Sequence, residues 1–184
     1  MRALVVYESM FGNTRKVAES VAAGLGTALE QVEVRAVADA DVVSVLAADL
    51  VLVGGPTHAH AMSRPKTRKA AVDEPARYSA AGTVEPGAGG IGLREWFAGV
   101  PASTGRAAAF DTRADAPAPL TGRASRGIAQ RLRRNGLTLV DRPQSFVVTK
   151  TAELKDGELD RAQEWGRTLA RALSAAAPDG RPVG

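Results

Sequence analysis

The sequence predicts an α/β domain built on a parallel sheet of five strands. Three observations carry the prediction. Short apolar runs end at turn signals and alternate with stretches of helical periodicity, which is the pattern of repeated β–α units. The run Asp49-Leu50-Val51-Leu52-Val53 is unbroken, as a strand covered on both faces requires. With 184 residues, 45% hydrophobic and 24% charged, the chain has the make-up of one core, assigned to residues 1–177, with 178–184 as a fraying tail.

In order, residues 3–7 form the first strand, and Val17, Val21, Leu25 and Leu29 recur every fourth residue as the apolar stripe of a helix. Residues 32–37 alternate as a second strand, and the run at 49–53 is the third and central one. Short helices are expected near 66–72 and 93–98. Residues 77–92, rich in Gly, Ala and Pro, fit no element and read as a mobile loop. Residues 107–110 make the fourth strand. A helix follows, with Ala124, Ile128 and Leu132 on its apolar face. Arg123, Arg126, Arg131, Arg133 and Arg134 populate its other faces, either as a solvated surface or as a docking surface for an acidic redox partner. Residues 137–140 lead into the fifth strand at 145–148. The last helix begins near Asp156 and carries Ala162, Trp165, Leu169 and Leu173, which makes Trp165 a core residue. Trp96 is left open between core, lid and dimer contact.

Composition removes several functions. The chain has no cysteine, so disulfides, thiolate metal sites and thiol catalysis are excluded. The apolar N-terminal run is too short for a secretory segment or a membrane span, and a cytoplasmic location is expected. Net charge is +4 with a pI near 9.8, yet aromatic residues are only 4%, which argues against nucleic-acid binding.

The chemistry lies after the strands. Directly after the first comes Glu8-Ser9-Met10-Phe11-Gly12-Asn13-Thr14-Arg15, running straight into a helix. A helix start has unpaired backbone N–H groups and partial positive charge, so it binds a phosphate through the peptide itself. Ser9 and Thr14 add hydroxyls, Asn13 an amide, and Gly12 room to curl. A plain N-cap at Asn13 or Thr14 is the other reading of these residues. After the third strand stands Gly54-Gly55-Pro56-Thr57-His58-Ala59-His60-Ala61-Met62, and after the fourth Asp111-Thr112-Arg113.

Together these segments resemble the flavodoxin family, from Arg2 to about Leu173. The resemblance implies a flavodoxin-like three-layer sandwich with strand order 2-1-3-4-5, whose ligand crevice lies at the carboxyl ends of strands one and three. It implies FMN as cofactor, with Ser9, Met10, Phe11, Gly12, Asn13 and Thr14 at its phosphate. Pro56, Thr57 and His58 would lie against the ring, and Asp111, Thr112 and Arg113 at its edge. No catalytic acid–base pair, nucleophile or metal is expected, because the flavin carries the chemistry. The implied function is electron transfer or a small FMN-dependent NAD(P)H:quinone-type reduction, with a redox protein or a small acceptor such as a quinone as partner. The alternative is a partner-binding or regulatory module without tightly bound flavin.

The chain departs from the family pattern in four ways. It is basic. It has no Trp or Tyr within the ring segments, so stacking is expected to be weak. Ala59 and Ala61 stand where many carriers have a glycine. Residues 77–92 are longer than a minimal carrier needs, as a lid or an interface would be.

Other signals fall away on context. Gly87-Ala88-Gly89-Gly90-Ile91-Gly92 matches a dinucleotide fingerprint, but Pro86 denies it the preceding buried strand. His58 and His60 are the chain's two histidines, too few for a histidine-rich metal site. No Asp ends the third strand, as a receiver domain would need, and there is neither a nucleotide P-loop nor a G-x-S-x-G elbow.

Overall fold

The computed structural model describes residues 1–58, 60–79 and 83–175. The first β–α units form as the apolar pattern dictates. Strand β1 (Arg2–Tyr7) is followed by α1 (Asn13–Leu25), β2 (Gln31–Ala36), α2 (Val42–Leu46) and β3 (Leu50–His58). A two-residue β4 (Ala61–Met62) folds back antiparallel on β3, and α3 (Pro65–Asp73) follows. Then come α4 (Leu93–Gly99), β5 (Gly105–Ala114), a single turn α5 (Ala118–Thr121), α6 (Ala124–Arg134), β6 (Leu137–Leu139), β7 (Gln144–Val148) and α7 (Glu158–Ala175).

The main sheet is parallel and runs β2-β1-β3-β5, and its fifth place is shared. β6 pairs with the beginning of β5, from Gly105 to Ala107, and β7 with its end, from Phe110 to Ala114. The expected order holds, with the fifth strand split in two around Pro143, which has no N–H to give a ladder.

Successive side chains of each strand enter opposite cores. Leu4, Val6, Val51, Val53, Ala107 and Ala109 meet Val45 of α2, Trp96 and Phe97 of α4, and Ile128 and Leu132 of α6. Ala3, Val5, Leu50, Leu52, Ala108 and Phe110 meet Val17, Val21 and Leu25 of α1 and Trp165, Leu169 and Leu173 of α7. This gives three layers, with α1 and α7 on one face and α2, α4 and α6 on the other. Both tryptophans are core: Trp96 donates its indole N–H to the Ala40 carbonyl at 2.8 Å, and Trp165 to Asp141 at 2.7 Å.

On the first face α1 and α7 approach closely through two glycines. A Cβ on Gly24 would land on the Gln163 carbonyl oxygen, and one on Gly166 on the Val21 carbonyl oxygen. The backbones can meet there because neither residue has a side chain.

Two strands outrun their apolar segments. β3 continues through Gly54 to His58, and β5 begins at Gly105 and continues through Asp111 to Ala114. The residues expected on loops after the strands therefore lie on the strands. The cause is pairing, since β3 and β5 stay in register through Gly55↔Asp111 and Pro56↔Thr112 after β1 has ended opposite Gly54. The segment 77–92 also differs from a free loop. Glu85 donates its backbone N–H to the Met10 carbonyl at 2.9 Å, and Ala88 packs with Met10 and Ala71 in a small core of its own. Residues 80–82 of that segment lie outside the described ones.

Candidate functional site

The loop after β1 is built around Gly12, which has φ 88° and precedes the first helical residue of α1. This left-handed backbone suits glycine and turns the chain into the helix. The Gly12 N–H donates to Ser9 Oγ at 3.1 Å. No side chain caps α1, so its first-turn amides keep their donor capacity. The plain-cap reading of Asn13 or Thr14 therefore fails: both are already in the helix, and their side chains point elsewhere. Asn13 donates its side-chain amide to the Ala152 carbonyl at 2.7 Å, and the Thr14 hydroxyl meets that of Thr112 at 2.8 Å.

Beside this loop a cleft of about 370 Å³ opens over the carboxyl ends of β3, β5 and β7. Phe11 and Asn13 enter it from the loop, Pro56, Thr57 and His58 from β3, and Thr112 and Arg113 from β5. The structure thus gathers seven of the twelve residues singled out in the sequence on one cavity wall. Thr149, Lys150 and Ala152, after β7, form the far side. Among the described residues no aspartate or glutamate lines the cleft, while Arg113 and Lys150 do.

The other five lie differently. Gly12 shapes the turn behind the cleft. Ser9 and Glu8 line a separate cavity of about 280 Å³ near the end of β2. Met10 is buried against Ala71 and Ala88, and Thr14 is buried in its bond to Thr112. Asp111 is fully buried. Its Oδ2 accepts the Thr57 hydroxyl at 3.1 Å and the Ser125 N–H at 2.8 Å, which makes it an internal cap for α6. Ala59 lies outside the described residues.

Tyr78 was missed by the sequence reading. It follows the short helical turn Pro75–Arg77, lines the cleft beside His58, and also walls a smaller lobe with Lys66, Thr67 and Ala70. With Phe11, it supplies the aromatic surface that the β3 and β5 segments lack. Nothing local marks it, because the fold brings it there from twenty residues beyond His58 in sequence.

Charge around the site is uneven. Burial, and secondly the Arg68 guanidinium, push the His58 imidazole below its usual pKa and favour the neutral ring. On the other side of the loop, Glu85 pairs with Arg15 at 2.8 Å, and its carboxylate oxygen stands 3.4 Å from where a Gly12 Cβ would lie. Deeper in, a polar chain ties the loop to α3 and α4. Glu8 accepts from the Ser63 hydroxyl and from the Leu93 N–H at 2.8 Å. Arg68, almost fully buried, donates to Ser63 at 3.0 Å and to Glu95 at 3.0 Å.

A flavodoxin-domain model matches residues 4–68, the stretch from β1 into α3 that holds the loop and the β3 segment. The whole chain superposes on a flavodoxin from the domain Archaea with a TM-score of 0.65 and 22% identity, covering 95% of this chain and 99% of that one. The chain has a flavodoxin-like fold.

Oxidised flavodoxin 1 from Bacillus cereus gives a TM-score of 0.62 at 17% identity, covering 96% of this flavodoxin-like chain and 99% of that one. The flavodiiron protein from Giardia intestinalis gives 0.60 at 19% identity, covering 95% of this chain but 36% of that one, where the fold is one part of a longer protein. No curated protein sequence matches. In this flavodoxin-like fold the cleft lies where an open parallel sheet places its ligand, outside the strand ends beside the β1/β3 reversal. The donor set fits an anionic ligand: an uncapped helix start, a buried Arg113 Nε with no hydrogen-bond partner among the described residues, and Lys150. No helix among the described residues is long and apolar enough to cross a membrane.

Proposed function

We propose that this chain binds FMN in the cleft and works as a redox protein, either as an electron carrier or as a small flavin-dependent reductase. The observation that carries the reading is the uncapped start of α1 at the edge of a cleft lined, among the described residues, by cations and aromatics and by no carboxylate. The phosphate would take the amides of the first turn of α1, where the helix dipole favours negative charge. Pro56, Thr57 and His58 would border the ring on one side, with Phe11 and Tyr78 as aromatic walls and Arg113 and Lys150 as cationic neighbours. The flavin would supply hydride or electron transfer, and the chain's residues bind it, orient it and set its local field. A neutral His58 would present a hydrogen-bonding ring edge without adding charge.

A second reading, a partner-binding module without tight flavin, is favoured by one feature. The side chains of Ser9, Asn13 and Thr14 already have partners inside the chain, so FMN would have to displace those bonds or rely on backbone amides. The deciding experiment is to mix the purified protein with FMN and desalt it. A retained visible flavin spectrum supports the redox reading, and a dissociation constant weaker than about 0.1 mM supports the module. For a flavin-loaded protein, steady-state NAD(P)H oxidation with a quinone acceptor identifies a reductase, whereas a carrier stays nearly inert.

A further inference from the structure

The two helical layers carry their arginines differently. On the α1–α7 layer, Arg15, Arg161, Arg167 and Arg171 each lie 2.5–3.1 Å from a glutamate oxygen. On the opposite layer, α6 holds Arg126, Arg131, Arg133 and Arg134 with Arg123 as its N-cap, and contains no acidic residue. None of these five, nor Arg94 of α4, nor Arg64 at the head of α3, forms an ion pair among the described residues.

These guanidiniums form one surface. Arg126 and Arg133 are seven residues apart and therefore share the exposed line of the helix. Arg131 leans toward α4, with its guanidinium carbon 5.9 Å from the Phe97 ring centre. Arg94 reaches the Met62 and Ser63 carbonyls, next to Arg64. Its pKa is lowered by burial and then by Arg131 and Arg64, which places three cations in one neighbourhood.

Helix stability explains only part of this. Arg131, Arg133 and Arg134 sit in the last turn of α6, where the dipole welcomes cations. Arg123 and Arg126 sit at the opposite, positive end, and Arg64 caps the positive end of α3. The carboxylate found at the start of α6, Asp111, is buried and hydrogen-bonded to Thr57 and Ser125. Arg126, exposed at that end, and Arg64, exposed at the head of α3, work against their helices and await negative charge from outside, whereas the Nε of Arg123 is buried.

That end of α6 also adjoins the cleft. The Ala124 N–H is held by the Thr57 hydroxyl at 2.9 Å, and Gly122 bridges to His60. Nearby, Leu120 of α5 is 69% exposed, an apolar point beside a basic field. We propose that the exposed face of α6, with Arg94 and Arg64, docks an acidic one-electron redox protein at the rim of the cleft. Guanidinium forks match surface carboxylates, and the unpaired field steers an acidic partner toward the strand ends. With FMN bound, the cleft would supply one-electron transfer between the flavin and a partner docked at this face. The electron step rests on the flavin reading above; the docking does not.

The test uses the full chain with and without FMN, and two small redox proteins of opposite charge as probes: an acidic plant-type ferredoxin and basic cytochrome c. Amide shifts are followed by NMR at about 20 mM and about 200 mM salt, over which the screening length falls from roughly 20 Å to roughly 7 Å. Ferredoxin is expected to shift α6 and α4 amides in both forms of the protein, with affinity falling about tenfold or more at the higher salt. Arg126→Glu with Arg133→Glu should weaken low-salt binding about tenfold, and the milder Arg126→Gln with Arg133→Gln about threefold. Arg167→Glu with Arg171→Glu, on α7, should change it less than about twofold. The proposal is overturned by no ferredoxin shifts, by shifts on α1 and α7 instead, by equal binding of cytochrome c, or by tighter binding of a DNA duplex of about 20 base pairs. Failure to retain FMN with ferredoxin binding intact counts against the flavin reading alone.

Discussion

The hydroxyls of Thr14 and Thr112 meet at 2.8 Å, joining the first turn of α1 to the carboxyl end of β5 in a nearly dry site. Removing one partner leaves the other buried and unpaired, whereas removing both leaves no orphan. Thr14→Val and Thr112→Val should each cost about 1–2 kcal/mol in urea unfolding, and the double variant clearly less than their sum. Strict additivity would mean that the pair is not coupled.

Glu85 places a carboxylate near the same helix start from the other side. If a phosphate occupies the first-turn amides, that like charge opposes it. Glu85→Gln is therefore expected to tighten FMN binding about 3- to 10-fold at low salt, read by fluorescence titration. An unchanged or weaker affinity would put the phosphate elsewhere.

The depressed pKa of His58 has a consequence for stability. The unfolded chain binds a proton at this residue below the ordinary value of 6.5, while the folded chain resists it until lower pH. Its contribution is thus present in full above 6.5 and is lost as pH falls toward the folded value. His58→Asn should flatten the acid-side slope of Tm against pH, measured by scanning calorimetry between about pH 5 and 7. A slope identical to that of the parent protein would show that the imidazole titrates alike in both states.

Gly24→Ala and Gly166→Ala each put a methyl group onto a backbone carbonyl of the facing helix. Each should cost about 1–3 kcal/mol by forcing α1 and α7 apart. Chemical denaturation measures it. A neutral result for either would show that the helices slide freely.

The parts of this molecule that sequence made legible are those set by local periodicity. The stripe of Val17, Val21 and Leu25, the run from Leu50 to Val53, and the stripe of Ala162, Trp165, Leu169 and Leu173 fold as expected, but Leu29, expected on the first stripe, is buried beyond the end of α1 at Leu25. The turn through Gly12 into α1 also forms as expected, because glycine next to a helix start is a local signal. The strand extensions through His58 and Ala114 were not legible. Gly54, Gly55, Pro56 and Asp111 are poor strand formers, and register between β3 and β5 holds them there. Asp111 illustrates the same limit. Its sequence position suggests a ligand contact, and only the arrival of α6 over it makes it an internal cap. Tyr78 and the Glu8–Ser63–Arg68 chain depend on contacts between distant segments, which no window of sequence contains.

The divided outer strand has a bearing on solubility. An uninterrupted rim of unpaired peptide groups would invite another chain to add on and continue the sheet. Here the rim consists of one three-residue piece and one five-residue piece, with Pro143 in the gap between them. A neighbour seeking to extend the ladder meets a break after a few residues, so the molecule guards itself against fibre-like growth from that side.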